Sequence, residues 1–179
     1  MRVRVPARVR VAAASLVALG ALAGMIVLLA RIRSDESGVG RLRFAPTRPA
    51  AAPFAEFSET RVSLDARCLR VLVASTPSQR VQGLRGVRSL APYQGMLFVY
   101  PGDATARFTM AGTPTPLDIT FFSARGLPVD RSRMLPCPDD SDARCPEYAS
   151  RTRYRYALEQ PLSSVGGSAS ASGALGACA

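Results

Sequence analysis

The chain is predicted to be mainly β or α+β: a compact β-barrel-like domain with one short helix, preceded by a single N-terminal transmembrane helix. Three observations predict this. Short apolar runs recur between Gly/Pro turns in the second half, one capped segment reads as a helix, and residues 11–30 form an unbroken uncharged stretch. Short strands separated by turns favour a barrel or an α+β domain over a doubly wound sheet.

The N-terminal element comes first. Residues 11–30, VAAASLVALGALAGMIVLLA, follow Arg2, Arg4, Arg8 and Arg10. At about 1.5 Å per residue this run spans a hydrocarbon core of roughly 30 Å. The arginines before it predict a cytoplasmic N-terminus, and Arg31 and Arg33 on the far side are fewer. A cleaved signal peptide is the competing reading. The run exceeds the usual apolar region of such signals, and ARIRSDESG offers no convincing small-x-small cleavage site. The expected location is the bacterial cytoplasmic membrane, with a single pass and the main domain periplasmic or extracellular. Gly20 and Gly24 make a small-xxx-small pair on one face of the span, a surface that allows close packing of a partner helix.

This organisation gives residues 1–33 as an arginine-rich flank and anchor, 34–60 as a connector, 61–162 as the compact domain and 163–179 as a Ser/Ala/Gly-rich tail. The connector is read from Gly38, Gly40, Pro46, Pro49 and Pro53. Phe44, Phe54 and Phe57 interrupt it and predict attachment to the following domain or to another protein.

Within the domain, residues 69–74 read as a strand. Residues 76–84 read as a short helix, with Thr76 as its cap, Pro77 at its first position and Arg80 within it. Gly95 leads into an apolar strand over 96–100, stopped by Pro101 and Gly102. Further strands are predicted over 106–110, 117–123 and 154–159, with a turn at 124–126. About one hundred residues suffice for a single core, particularly with a covalent brace.

Cys68, Cys137, Cys145 and Cys178 supply that brace in an oxidising compartment. The expected pairing closes a local loop between Cys137 and Cys145 and pins the tail through Cys68 and Cys178; four cysteines permit two other complete pairings. No metal or cofactor is expected. The chain has no His and no CxxC, and Asp139, Asp140, Asp142 and Glu147 do not match calcium-loop spacing.

The net charge of +10 invites a nucleic-acid reading, which the distribution opposes. Six of the 23 basic residues precede residue 34, where no acid occurs, leaving 17 against 13 acids, or +4. Arg151, Arg153 and Arg155 alternate along a possible strand and read as a solvated face.

The runs VLVASTPSQRVQGL, GMLFVYP, RFTMAGTPTPLDITFF and CPEYASRTRYRYALE, in that order and spacing, carry a family resemblance. Residues 71–159 resemble the uncharacterised family called domain of unknown function 192. The resemblance implies a compact domain dominated by β structure and brings no reaction with it. The family pattern falls on Gly83, Leu84, Gly95, Met96, Leu97, Phe98, Phe108, Met110, Thr113, Pro116, Leu117 and Asp118. Where the family usually has Trp-Met-Lys-Asn, this chain has Thr109, Met110, Ala111 and Gly112; where an Arg commonly stands, it has Val87, with Arg88 beside it. If those positions line a site, this chain has lost an aromatic wall, a cation and an amide.

The expected function is a non-catalytic, membrane-anchored accessory or scaffolding subunit of a larger membrane assembly, with membrane lipids and integral-membrane subunits as partners and no nucleic acid. The alternative is a membrane-tethered domain binding a small ligand or an envelope polymer, through a pocket joining Arg88, Met110, Asp118 and Glu159. An enzyme is the least expected class: without His or Lys, the commonest proton-transfer groups are missing, and Asp118 stands as a lone acid.

Overall fold

A computed structural model of the chain describes residues 42, 44–45, 47–137, 141–162 and 173–178. The expected membrane span at 11–30, with Gly20 and Gly24, lies outside the described residues, as do Asp139 and Asp140.

The described part is mostly β-sheet with one short helix. Ten strands run β1 (Arg48–Pro49), β2 (Ser58–Leu64), β3 (Arg67–Ala74), β4 (Gly95–Ala104), β5 (Phe108–Thr109), β6 (Leu117–Phe122), β7 (Pro128–Met134), β8 (Glu147–Tyr148), β9 (Tyr154–Pro161) and β10 (Gly176–Ala177). The helix α1 (Pro77–Gln82) lies between β3 and β4. Eight strands form one sheet in the order β1-β2-β3-β4-β9-β6-β7, with β10 also on β2; β5 and β8 pair separately.

The barrel expectation is corrected here. The large sheet ends in β7 on one side and in β1 and β10 on the other, and these edges do not pair with each other. A barrel would need that closing ladder. The transmembrane expectation is corrected as well: among the described residues no helix is long and apolar enough to cross a membrane.

Among the described strands only β3 and β4 pair in parallel, which requires a crossover. Residues 75–94 supply it, and α1 starts it. Thr76 Oγ1 accepts from Gln79 N at 3.2 Å while Gln79 Oε1 accepts from Thr76 N at 3.1 Å, a reciprocal capping box. Pro77 has no N–H to leave unsatisfied at the first helical position.

Alternation along the strands sends side chains to both faces of the sheet. On one side, Leu72, Met96, Phe98, Ile119, Phe121 and Ala157 form the larger core, covered by Phe54, Phe57, Leu84, Leu90 and Tyr93. On the other, Val62, Leu64, Val71, Leu97, Tyr156 and Leu158 form a smaller core, joined by Leu175 and by the partly buried Leu42 and Phe44. The three connector phenylalanines are therefore covered by this chain's own domain. Phe44 meets Tyr156 edge-on with centroids 5.2 Å apart, and Phe54 meets Tyr93 at 5.6 Å.

Two disulfides brace the sheet. Cys137 joins Cys145 across a separation of eight residues, and Cys68 on β3 joins Cys178 across 110. The second holds β10 against β2, where Gly176 pairs with Ser63 and Ala177 with Val62.

Candidate functional site

Glu159 is the acid that β9 delivers to the larger core. Its direct cross-strand neighbours are Met96 on β4 and Ile119 on β6, both fully buried, so its carboxyl sits between apolar side chains. Only 5% of the residue is exposed, and among the described residues no cation or hydrogen-bond donor pairs with the carboxyl. Burial pushes its pKa up to about 8, which leaves the group mostly protonated at neutral pH.

That carboxyl lines a cleft of about 370 Å³. Phe98, Tyr100 and Phe108 form aromatic wall, with the Phe98 and Phe108 rings edge-to-face at 5.0 Å. Thr109 and Thr113 add hydroxyls, and Arg80, Arg85 and Arg107 bring three guanidiniums. The volume falls within the usual range for small-molecule sites, as does the mixture of apolar wall and few polar groups.

The local fold fixes these cations differently. Arg80 donates through Nη1 to the carbonyls of Ser75 at 2.5 Å and Val99 at 3.0 Å, and its guanidinium stacks 4.8 Å above the Tyr100 ring. Arg85 donates to the carbonyls of Val81 and Ala111, tying the end of α1 to the turn after β5. Arg107 is exposed and paired with Glu147. Gly86 N donates to Gly112 O at 2.7 Å and secures the same junction.

Of the four residues expected to share a pocket, only Glu159 lines this cleft. Arg88 is exposed and lines a neighbouring cleft of about 290 Å³ with Phe54 and Phe57, which shares the Gln82–Gly83–Arg85 wall. Met110 is 1% exposed within the larger core. Asp118 alternates with Leu117 and Ile119, faces away from that core, and stands 3.6 Å from Arg133 across β6 and β7. Sequence reasoning missed Arg80, Tyr100, Arg85 and Arg107 as site residues. The signal for Phe98, Phe108 and Thr113 lay in the family pattern; for Arg80 no local signal exists. Among the described residues no group of three or more Cys, Asp or Glu side chains is placed to hold a metal.

The sequence profile of the family described as uncharacterized ACR, domain of unknown function 192, matches residues 60–169. The chain belongs to this family. Two solved structures share the fold of this family member. One is a protein of unknown function from Novosphingobium aromaticivorans DSM 12444, 20% identical, with 65% of this chain and 81% of that chain covered at a TM-score of 0.54. The other, described as "a putative transcription regulator" from Sinorhizobium meliloti 1021, is 26% identical, with 76% of this chain and 96% of that chain covered at a TM-score of 0.52. No curated protein matches.

These findings correct the expectation of a membrane-anchored accessory subunit. The chains that share the fold are described as a protein of unknown function and a putative transcription regulator, and among the described residues no helix is long and apolar enough to cross a membrane. Membrane lipids and integral-membrane subunits as partners, and the single-pass placement in the bacterial cytoplasmic membrane, lose their support with it. The aromatic residues that suggested a docking partner, Phe54 and Phe57, are spent on the domain's own core.

Proposed function

We propose that the domain is a small-ligand-binding module whose ligand enters the cleft between α1 and β5 and reaches Glu159. The observation that carries this reading is a carboxyl without a protein partner among the described residues, on a residue only 5% exposed, that opens into a cleft walled in part by aromatic rings. Burying such a group costs free energy unless something pairs with it, and a bound ligand is the partner the cleft has room for. The lining has one carboxyl, guanidiniums, a phenol and hydroxyls. With no second carboxylate among the described residues of the lining and no His or Lys in the chain, the arrangement supports binding rather than proton-transfer catalysis, which uses positioned acid–base groups.

The likeness to a chain described as a transcription regulator raises a regulatory reading. Sequence-independent DNA affinity requires arginines free for phosphates. Here Arg48 and Arg70 pair with Glu59, Arg133 with Asp118, Arg151 with Asp130 and Arg155 with Asp103. The exposed arginines without an ion pair among the described residues, Arg61, Arg67, Arg88, Arg125, Arg131 and Arg153, come from six different segments of the chain. The cleft is the better-supported site.

The test is a fragment screen by ligand-observed NMR on the full chain and on Thr109→Trp, which fills the cleft. Fragments that bind the unaltered chain and are lost in a folded variant support the reading. Binding that survives the filled cleft overturns it.

A further inference from the structure

Arg80 is an organised cation without a counter-ion. Two carbonyls hold Nη1 and Tyr100 holds the plane of the group, so its orientation is set before any ligand arrives. Among the described residues Nε and Nη2 have no hydrogen-bond partner, and no carboxylate forms an ion pair with the group. The other arginine at the exposed mouth, Arg107, already has Glu147. A half-buried guanidinium with one edge open is suited to donating two parallel hydrogen bonds to a planar oxyanion.

We propose that the cleft takes a small planar organic carboxylate, its anionic head on the open edge of Arg80 and its uncharged polar end hydrogen-bonded to Glu159. This rests on the cleft being the ligand site and adds the chemical class of the ligand. Phe98, Tyr100 and Phe108 between the two polar ends supply apolar surface for an aromatic or conjugated body. A bare inorganic anion would leave that wall and Glu159 unused. A cationic ligand would face the three arginines of the lining with only Glu159 to answer them.

Protonation of Glu159 decides whether the anion is tolerated. Its neighbours across the sheet, Met96 and Ile119, carry no charge. The groups facing the same cleft are Tyr100 from β4, Arg80 and Arg85 at α1 and the turn after it, and Arg107 before β5. The Tyr100 phenol is pushed up by burial and stays neutral where Glu159 titrates. As pH rises through about 8, Glu159 becomes a carboxylate and opposes a second anion in the cleft. Affinity therefore falls on the alkaline side.

Isothermal titration of the full chain with 4-(hydroxymethyl)benzoate, its benzamide and its benzylamine tests the class, since the alcohol end does not titrate. The benzoate is expected to bind about tenfold more tightly than the benzamide, and Arg80→Gln to remove that advantage. Binding of the benzoate should weaken from about pH 6.5 to about pH 9.5, and Glu159→Gln should flatten that dependence. If Arg80→Gln melts early for loss of its carbonyl bonds, the Glu159→Gln pH profile and the benzoate-to-benzamide ratio carry the test. Equal or tighter binding of the amide or the amine overturns the carboxylate class while leaving the cleft as the ligand site. Benzoate binding that survives Thr109→Trp overturns both. No binding by any of the three overturns the class, and the fragment screen then decides the cleft on its own.

Discussion

A Cβ on Gly95 would stand 2.5 Å from the carbonyl oxygen of Glu159, so the residue that opens β4 sets how closely β9 can approach. Gly95 also begins the parallel ladder with β3, opposite Val71. Gly95→Ala must push β9 outward at the residue that lines the cleft. The expected cost is about 2 kcal/mol by overpacking, measured as a lowered denaturation midpoint, together with weakened cleft binding although Gly95 does not line the cleft. An unchanged midpoint would show that β9 shifts freely there.

Glu159 predicts the alkaline limb of stability. Its folded pKa, about 8, lies above the ordinary 4.5, so the native state holds the proton more tightly than the unfolded chain. Its contribution is fully present below about pH 4.5 and is lost as pH rises through about 8. Denaturant titrations across that window should show falling stability in the unaltered chain and a flatter profile in Glu159→Gln.

Glu59 and Asp130 predict the acid limb. Glu59 accepts from Arg70 at 2.6 and 3.1 Å, from Arg48 and from Tyr93 Oη at 2.6 Å, and Arg70 chiefly holds its carboxyl down at about 2. Arg151 does the same for Asp130, also to about 2. Depressed pKa values give stability that is present above the unfolded values, 4.5 and 3.8, and lost as pH falls toward about 2. Glu59→Gln is expected to cost on the order of 2 kcal/mol at neutral pH and to shrink the acid loss. A variant as stable as the parent would show that the arginines re-pair with water at no cost.

The two disulfides are predicted to contribute unequally. Chain-entropy reasoning gives about 5 kcal/mol for the long closure and about 2.5 for the short one, following separations of 110 and 8 residues. Cys68→Ser with Cys178→Ser should lower the denaturation midpoint more than the Cys137→Ser and Cys145→Ser pair. The reverse order would mean that the tail adds little once β10 has paired.

How much of this was legible in the sequence differs by element. Helix α1 was legible because Thr76, Pro77 and Gln79 encode its start within four residues. The apolar strands β3, β4, β6 and β9 were legible because each carries a run of buried residues. Strand β2, SETRVSL, was not: Thr60, Val62 and Leu64 face one core while Glu59 and Arg61 interrupt the pattern, and Glu59 is buried only because Arg70 and Tyr93 arrive from elsewhere. Strand β7, PVDRSRM, is an edge with charged outward positions and reads as loop. Of the cleft, Glu159 was legible as an acid inside an apolar strand. Arg80 was not, because its partners Val99 and Tyr100 belong to another strand. Thr109, where the family usually has Trp, lines the cleft, so the departure noted in the sequence falls on its wall.

Leu175 donates its N–H to the carbonyl of Gly126, whose φ of 76° suits glycine, and its side chain is buried over Val62, Leu97 and Leu158. During synthesis every strand beneath it leaves the ribosome first. The lid of the smaller core thus emerges after all the strands it covers, and Cys178 follows it by three residues. A nascent chain must keep that greasy face unsealed until Leu175 emerges, and the bond from Cys178 to Cys68 can form only after that.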